Sequence, residues 1–182
     1  MVPVGYMAKQ VYKKPDWLKA PRVVDIFSVS GHVSKDFADY IDYWKHNGYW
    51  FFDSPEAIRT VAEEHSIELQ GTVLFYYEAH EMEFDGENWR PYAPEPSFRT
   101  SIVPPSQKRL QGFDVVTFSC RTMAECSPLS CNYMANELAT NEHCLFTSFD
   151  EAETYVSNAV FNDSEPGPYR VFSVYTVNWP KA

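Results

Sequence analysis

Glycine is scarce, with 7 in 182 residues, and never clustered, so no glycine-rich loop exists to cradle a phosphate. Long apolar runs are missing too: none approaches the roughly 20 residues of a membrane-spanning helix. The first 22 residues carry Lys9, Lys13, Lys14 and Lys19 but no apolar core of the kind a secretory leader has. Basic residues are outnumbered, 15 Lys and Arg against 25 Asp and Glu, which argues against gripping nucleic acid through its phosphates. Closely spaced cysteine pairs are also absent. Cys120, Cys126, Cys131 and Cys144 have separations unlike the paired knuckles of common zinc modules. These absences point to a cytoplasmic protein with no membrane contact, no binding of nucleic acid through phosphate contacts and no cofactor.

What is present is apolar and aromatic: 45% hydrophobic residues and 16% Phe, Trp and Tyr, enough to build a packed core. The formal net charge of −10 is unevenly spread. Residues 25–88 hold 14 acids and 3 bases, and residues 113–182 hold 9 acids and 3 bases. Residues 1–24 hold 5 bases and 1 acid, and residues 89–112 hold 4 bases and 1 acid. Either the basic segments lie across the acidic bodies of their own chain, or the acidic bodies attract a basic protein partner.

Several stretches occur twice in similar form. Asp25-Ile26-Phe27-Ser28-Val29-Ser30 resembles Asp114-Val115-Val116-Thr117-Phe118-Ser119. The run from Asn47 to Ser54 resembles that from Asn141 to Ser148, and Val73–Tyr77 resembles Val171–Tyr175. Alternating β-branched residues predict strands over 23–30 and 113–120. Apolar spacings of three and four predict helices over 34–46 and about 128–139. Short strands follow over 49–53 and 143–147, and Ser54-Pro55 and Ser148 then start a helix in each half. Strands over 73–84 and 169–177 close the units, with Asp85-Gly86 as a hairpin turn. The expected fold class is α/β (or α+β): two duplicated β-α-β-α-β units about a pseudo-twofold, with a mixed sheet, a hairpin and an N-terminal arm. The expected divisions are a basic arm over 1–22, a first repeat over 23–90, a Pro-rich basic connector over 91–112 and a second repeat over 113–182, all in one compact unit.

The candidate chemistry is thin. Ser127 and Pro128 would place Cys131 in the first turn of a helix, where the dipole favours a thiolate. His143 is then the candidate base and Asn132 the orienting or oxyanion-binding group. The competing view makes all four cysteines small buried hydrophobes, and a third makes Cys120, Cys126, Cys131 and Cys144 weak metal-ligand candidates. Glu78 and His80 share one strand face, without a familiar ligand spacing. Trp44, Tyr49, Trp50 and Trp89 are candidate binding aromatics. Three function classes follow. The leading one is a non-catalytic acidic interaction protein, as an inhibitor, immunity-type or adaptor protein is. The alternatives are a small enzyme using Cys131 and a small-molecule or metal sensor using the cleft between repeats.

Overall fold

The computed structural model describes residues 1–36, 47, 49–92, 101–117 and 126–180. A seven-stranded sheet runs through it, built from β1 (Val2–Val11), β2 (Ser34–Asp36), β3 (Val73–Ala79), β4 (Met82–Phe84), β5 (Trp89–Pro91), β6 (Arg109–Thr117) and β7 (Tyr169–Val177). The order is β2-β1-β3-β7-β4-β5, with β6 also paired to β7. Every strand pair in it is antiparallel. The helices among the described residues are short: α1 (Pro55–Glu64), α2 (Phe149–Ser157) and one 3-10 turn at Met134–Asn136.

This overturns the expected α/β class, the mixed sheet and the internal duplication into β-α-β-α-β units. The protein is mostly antiparallel β. The inference to parallel strands required 23–30, 49–53 and 143–147 to be sheet strands joined by crossover helices. The first instead makes one bridge, Lys13↔Asp25. The other two shrink to single bridges, Tyr6↔Phe52 and Phe113↔Phe146. The helix expected over 128–139 is a series of turns and the 3-10 turn. In the helix expected over 34–46, residues 34–36 form β2, and 37–46 lie outside the described residues. The segment read as an arm supplies β1, which runs antiparallel to β3 from Val2↔Ala79 to Lys9↔Val73.

The two helices form for the reasons legible in sequence. Ser54 Oγ accepts from Ala57 N at 3.2 Å, and Pro55 occupies the first turn, a cap worth about 1 kcal/mol. Ile58, Val61 and Ala62 recur at helical spacing and are buried. Ser148 Oγ accepts from Glu151 N at 3.2 Å, and the Glu151 carboxylate accepts in turn from Thr147 N. Here Ala152 and Val156 are the buried pair.

The resemblance between the Asn47 and Asn141 runs has a local cause. Asn47 Oδ1 accepts from Tyr49 N and Phe51 N, and its Nδ2 donates to Val4 O at 3.0 Å. Asn141 Oδ1 accepts from His143 N and Leu145 N, and its Nδ2 donates to Gln111 O at 2.7 Å. Each asparagine saturates the backbone that a longer strand would have used. The chain opposite each one is a strand irregularity containing glycine, Gly5 at φ +128 and Gly112 at φ +149. A Cβ on Gly5 would stand 2.6 Å from Phe52 O, and one on Gly112 would stand 2.7 Å from Phe146 O. Only glycine fits either position.

The core covers both faces of the sheet. Phe75 and Tyr77 pack against Phe27 and Phe51 on one face. On the other, Tyr76 packs against Tyr6 and Tyr175. The described part of the connector crosses that face, with Tyr6 OH donating to Val103 O at 2.6 Å and Lys108 paired to Glu78. No helix among the described residues is long and apolar enough to cross a membrane.

Candidate metal centre

Two irregular segments that share no strand pairing meet around one buried carboxylate. Asp114, on β6, is fully buried. Its Oδ2 accepts from Ser28 Oγ and from Val29 N, both at 2.8 Å. Its Oδ1 accepts from Ser127 Oγ at 2.6 Å. The buried Lys9 ammonium donates to the carbonyls of Ser28, Val29 and Ser30 at 2.8–3.1 Å. Burial raises the Asp114 carboxyl above its ordinary range, against the opposing pull of the three donors and Lys9. Asp114 and Lys9 therefore fix the path of residues 28–30 and tie it to the turn beginning at Ser127.

That turn is tight. Ser130 N and Cys131 N both donate to Ser127 O, at 3.2 and 2.7 Å. Leu129 is fully buried beneath it. Cys126, just before the turn, is clipped to the end of β6: Thr117 N donates to Cys126 O at 2.9 Å, and Cys126 N donates to Thr117 Oγ1 at 3.2 Å. On the facing segment Ser30 Oγ accepts from His32 N at 3.2 Å and lies 3.7 Å from Cys131 Sγ.

The consequence is a cluster of three ligand-type side chains. His32 Nδ1 lies 3.1 Å from Cys126 Sγ, and one ligand atom from each of His32, Cys126 and Cys131 falls within 4.8 Å of the others. Both thiols are partly buried and the imidazole is exposed. Burial, then the neighbouring Cys131 and Glu165, push the Cys126 thiol well above the ordinary thiol range. Glu165 is held by Asn132, whose Nδ2 donates to Glu165 Oε1 at 3.0 Å and to Ser164 O at 3.1 Å.

Tetrahedral zinc with bonds of about 2.3 Å to sulfur and about 2.0–2.1 Å to nitrogen spaces its ligand atoms roughly 3.3–3.8 Å apart. His32 Nδ1 and Cys126 Sγ, 3.1 Å apart, are already near that spacing, and Cys131 Sγ lies within 4.8 Å of both. Two thiols and an imidazole are donors that favour zinc-class ions over calcium or magnesium. Glu165 interacts with the Cys126 thiol at the edge of this cluster.

The other residues singled out in sequence are placed as follows. Cys144 is buried in the second core cluster, its thiol raised by burial and then by Asp114 and Cys131. Cys120 and Trp44 lie outside the described residues. His143 pairs with Asp25 at 2.6 Å and stacks on Phe27 with ring centroids 3.9 Å apart. Its described contacts do not include Cys131. Glu78 accepts from Tyr175 OH at 3.0 Å, whereas His80 packs against Trp89 and Phe149. β3 ends at Ala79 with His80 just beyond it, so the strand face expected to carry both residues carries Glu78 alone. Tyr49 packs on Tyr92, Trp50 is half-buried, and Trp89 Nε1 donates to Ser157 Oγ at 2.9 Å.

A separate cleft of about 730 Å³ lies between the connector, the start of α1 and the C-terminal tail, lined in part by Tyr6, Asp53, Glu56, Val103 and Trp179. Its Asp53 carboxylate is already engaged by Asn47 Nδ2 and Ser101 N.

Sequence reasoning noticed Cys126 and Cys131 but missed His32, Ser28, Ser30, Lys9, Asp114 and Glu165. The one signal for His32 was its place after Ser28-Val29-Ser30-Gly31, a small, polar stretch suited to a loop. No protein-family model, no curated protein and no solved structure matches the chain.

Proposed function

We propose that this protein binds a zinc-class divalent ion through His32, Cys126 and Cys131, with Glu165 beside it, as a metal-responsive binding protein. The observation that carries this is the convergence within 4.8 Å of two thiols and an imidazole that stands 94 residues before the first of them. The buried Asp114–Lys9 hub supports it, because ligand-bearing segments held by hydrogen bonds around the first ligands present them with little ordering cost. A reducing cytoplasm fits the same view, since Cys126, Cys131 and Cys144 are free thiols. Metal binding would add a link from His32 to the 126–131 turn beyond the ties made through Asp114, so occupancy changes how firmly the two segments are held. That is the property a sensor reports.

A metal ligand must be a thiolate, and burial raises the Cys126 thiol above its ordinary range. Zinc therefore has to displace a proton, and affinity rises with pH. Calorimetric titration of the reduced protein with zinc at pH 6.5 and pH 8 is expected to give one zinc per chain, bound more tightly at pH 8 with proton release. Zinc at about 100 times its Kd is expected to stabilise the fold by about 2.7 kcal/mol. His32→Ala and Cys126→Ser are expected to abolish the stoichiometric site. Wild-type protein that takes up no zinc at either pH contradicts the proposal.

A further inference from the structure

We propose that Cys126 and Cys131 form a reversible disulfide when the protein meets a hydroperoxide, and that this bond releases the metal. The inference rests on the metal-site reading for its second half alone, since the disulfide removes two of the three ligands. Its first half rests on geometry. Both sulfurs belong to the cluster whose ligand atoms lie within 4.8 Å of one another, and disulfide formation closes that gap to about 2.05 Å. The two residues flank a single turn pinned by Ser127 O, and both are partly exposed, so peroxide can reach them. Cys144, the remaining described thiol, is 2% exposed and held within the core. A buried thiol is shielded from oxidant in a way this pair is not.

The chemistry closes without any further reactant. One sulfur attacks a peroxide oxygen, the sulfur–oxygen bond forms, the oxygen–oxygen bond breaks, and the leaving hydroxide takes the thiol proton as water. The second sulfur then attacks the sulfenic sulfur, the sulfur–sulfur bond forms and the sulfur–oxygen bond breaks. That hydroxide takes the second thiol proton as a second water. Two thiols lose two electrons, and the hydroperoxide gains them.

Peptide mass mapping of the full chain after hydrogen peroxide tests this in two arms. In the metal-free arm, the expected product is a Cys126–Cys131 linkage, lighter by two hydrogens and restored by dithiothreitol. Sulfinic or sulfonic acid on single cysteines, or linkage of Cys126 to Cys120 or Cys144, overturns the proposal whatever zinc does. In the zinc-loaded arm, a chromogenic chelator is expected to capture one zinc for each disulfide formed. A disulfide in the metal-free arm from protein that never binds zinc sinks the metal-site reading and leaves the thiol pairing standing. Zinc retained on protein that has formed the disulfide overturns the release half.

Discussion

Replacing Asp114 by alanine is expected to cost the fold about 3–5 kcal/mol, the range for breaking a buried charge network by removing one partner. Three donors would lose their acceptor at once: Ser28 Oγ, Val29 N and Ser127 Oγ. Lys9 would remain buried among carbonyls without the favourable interaction it has with the Asp114 carboxylate. Asparagine keeps the shape and one acceptor, so Asp114→Asn is expected to cost less, about 1–2 kcal/mol. The two variants also separate charge from shape through pH. The folded state raises the Asp114 carboxyl above its unfolded value, so folding favours the protonated form. The stability it contributes is complete below the unfolded value, near pH 4, and is lost as pH rises through the folded one. Among the described residues, Lys9, which favours the ionised form, and Cys144 also interact with this carboxyl. Urea titrations of wild type and Asp114→Asn across pH 4 to pH 8 are expected to show wild type losing ground to the variant as pH rises. A constant difference across that span would mean that Asp114 is ionised throughout and that burial does not govern it. Zinc binding supplies a second readout. Asp114→Asn touches no ligand, yet is expected to weaken zinc about 10–100-fold, the usual consequence of disturbing groups that orient metal ligands.

Gly5→Ala and Gly112→Ala are each expected to destabilise the protein by about 3 kcal/mol, whereas Gly86→Ala costs about 1 kcal/mol. All three glycines have positive φ, so backbone strain alone does not separate them. The difference is space. At Gly5 and Gly112 the added methyl meets a backbone oxygen below 3 Å, and at Gly86 its nearest neighbour is the Asn162 side chain at 3.9 Å. A backbone oxygen held by Tyr6 N or Phe113 N at 2.8 or 3.0 Å cannot step aside without breaking that bond. The asparagine brackets would go with it, because Asn47 Nδ2 and Asn141 Nδ2 stand about as close to the same methyl positions. Chemical denaturation of the three variants decides the matter. Equal losses at Gly86 and Gly112 would show that conformation alone, and not the close approach of the Asn141 loop, sets the cost.

Local chemistry was legible in the sequence, and long-range pairing was not. Ser54 and Ser148 cap their helices, and Asp85 organises the β4–β5 turn by accepting from Glu87 N and Asn88 N. Both follow from residue types within a few positions of each other. β1 escaped notice because Pro3, Gly5 and Lys9 break the strand pattern. Their reasons lie elsewhere in the chain: the Asn47 loop requires the glycine, and a ring of carbonyls surrounds the lysine. The similarity of Asp25–Ser30 to Asp114–Ser119 misled for the same cause. Asp114 is an interior acceptor on a sheet strand, and Asp25 is a partner for His143 in a loop. At the candidate site, Cys126 and Cys131 were noticed through their spacing, but a histidine 94 residues earlier carries no local mark of its partnership.

The most direct test of the central claim is the zinc-edge X-ray absorption spectrum of protein loaded with one zinc per chain. The account predicts two sulfur ligands at about 2.3 Å, with nitrogen and oxygen at about 2.0–2.1 Å, and loss of the imidazole scattering in His32→Ala. A shell of four sulfurs, or one containing no sulfur, would contradict it.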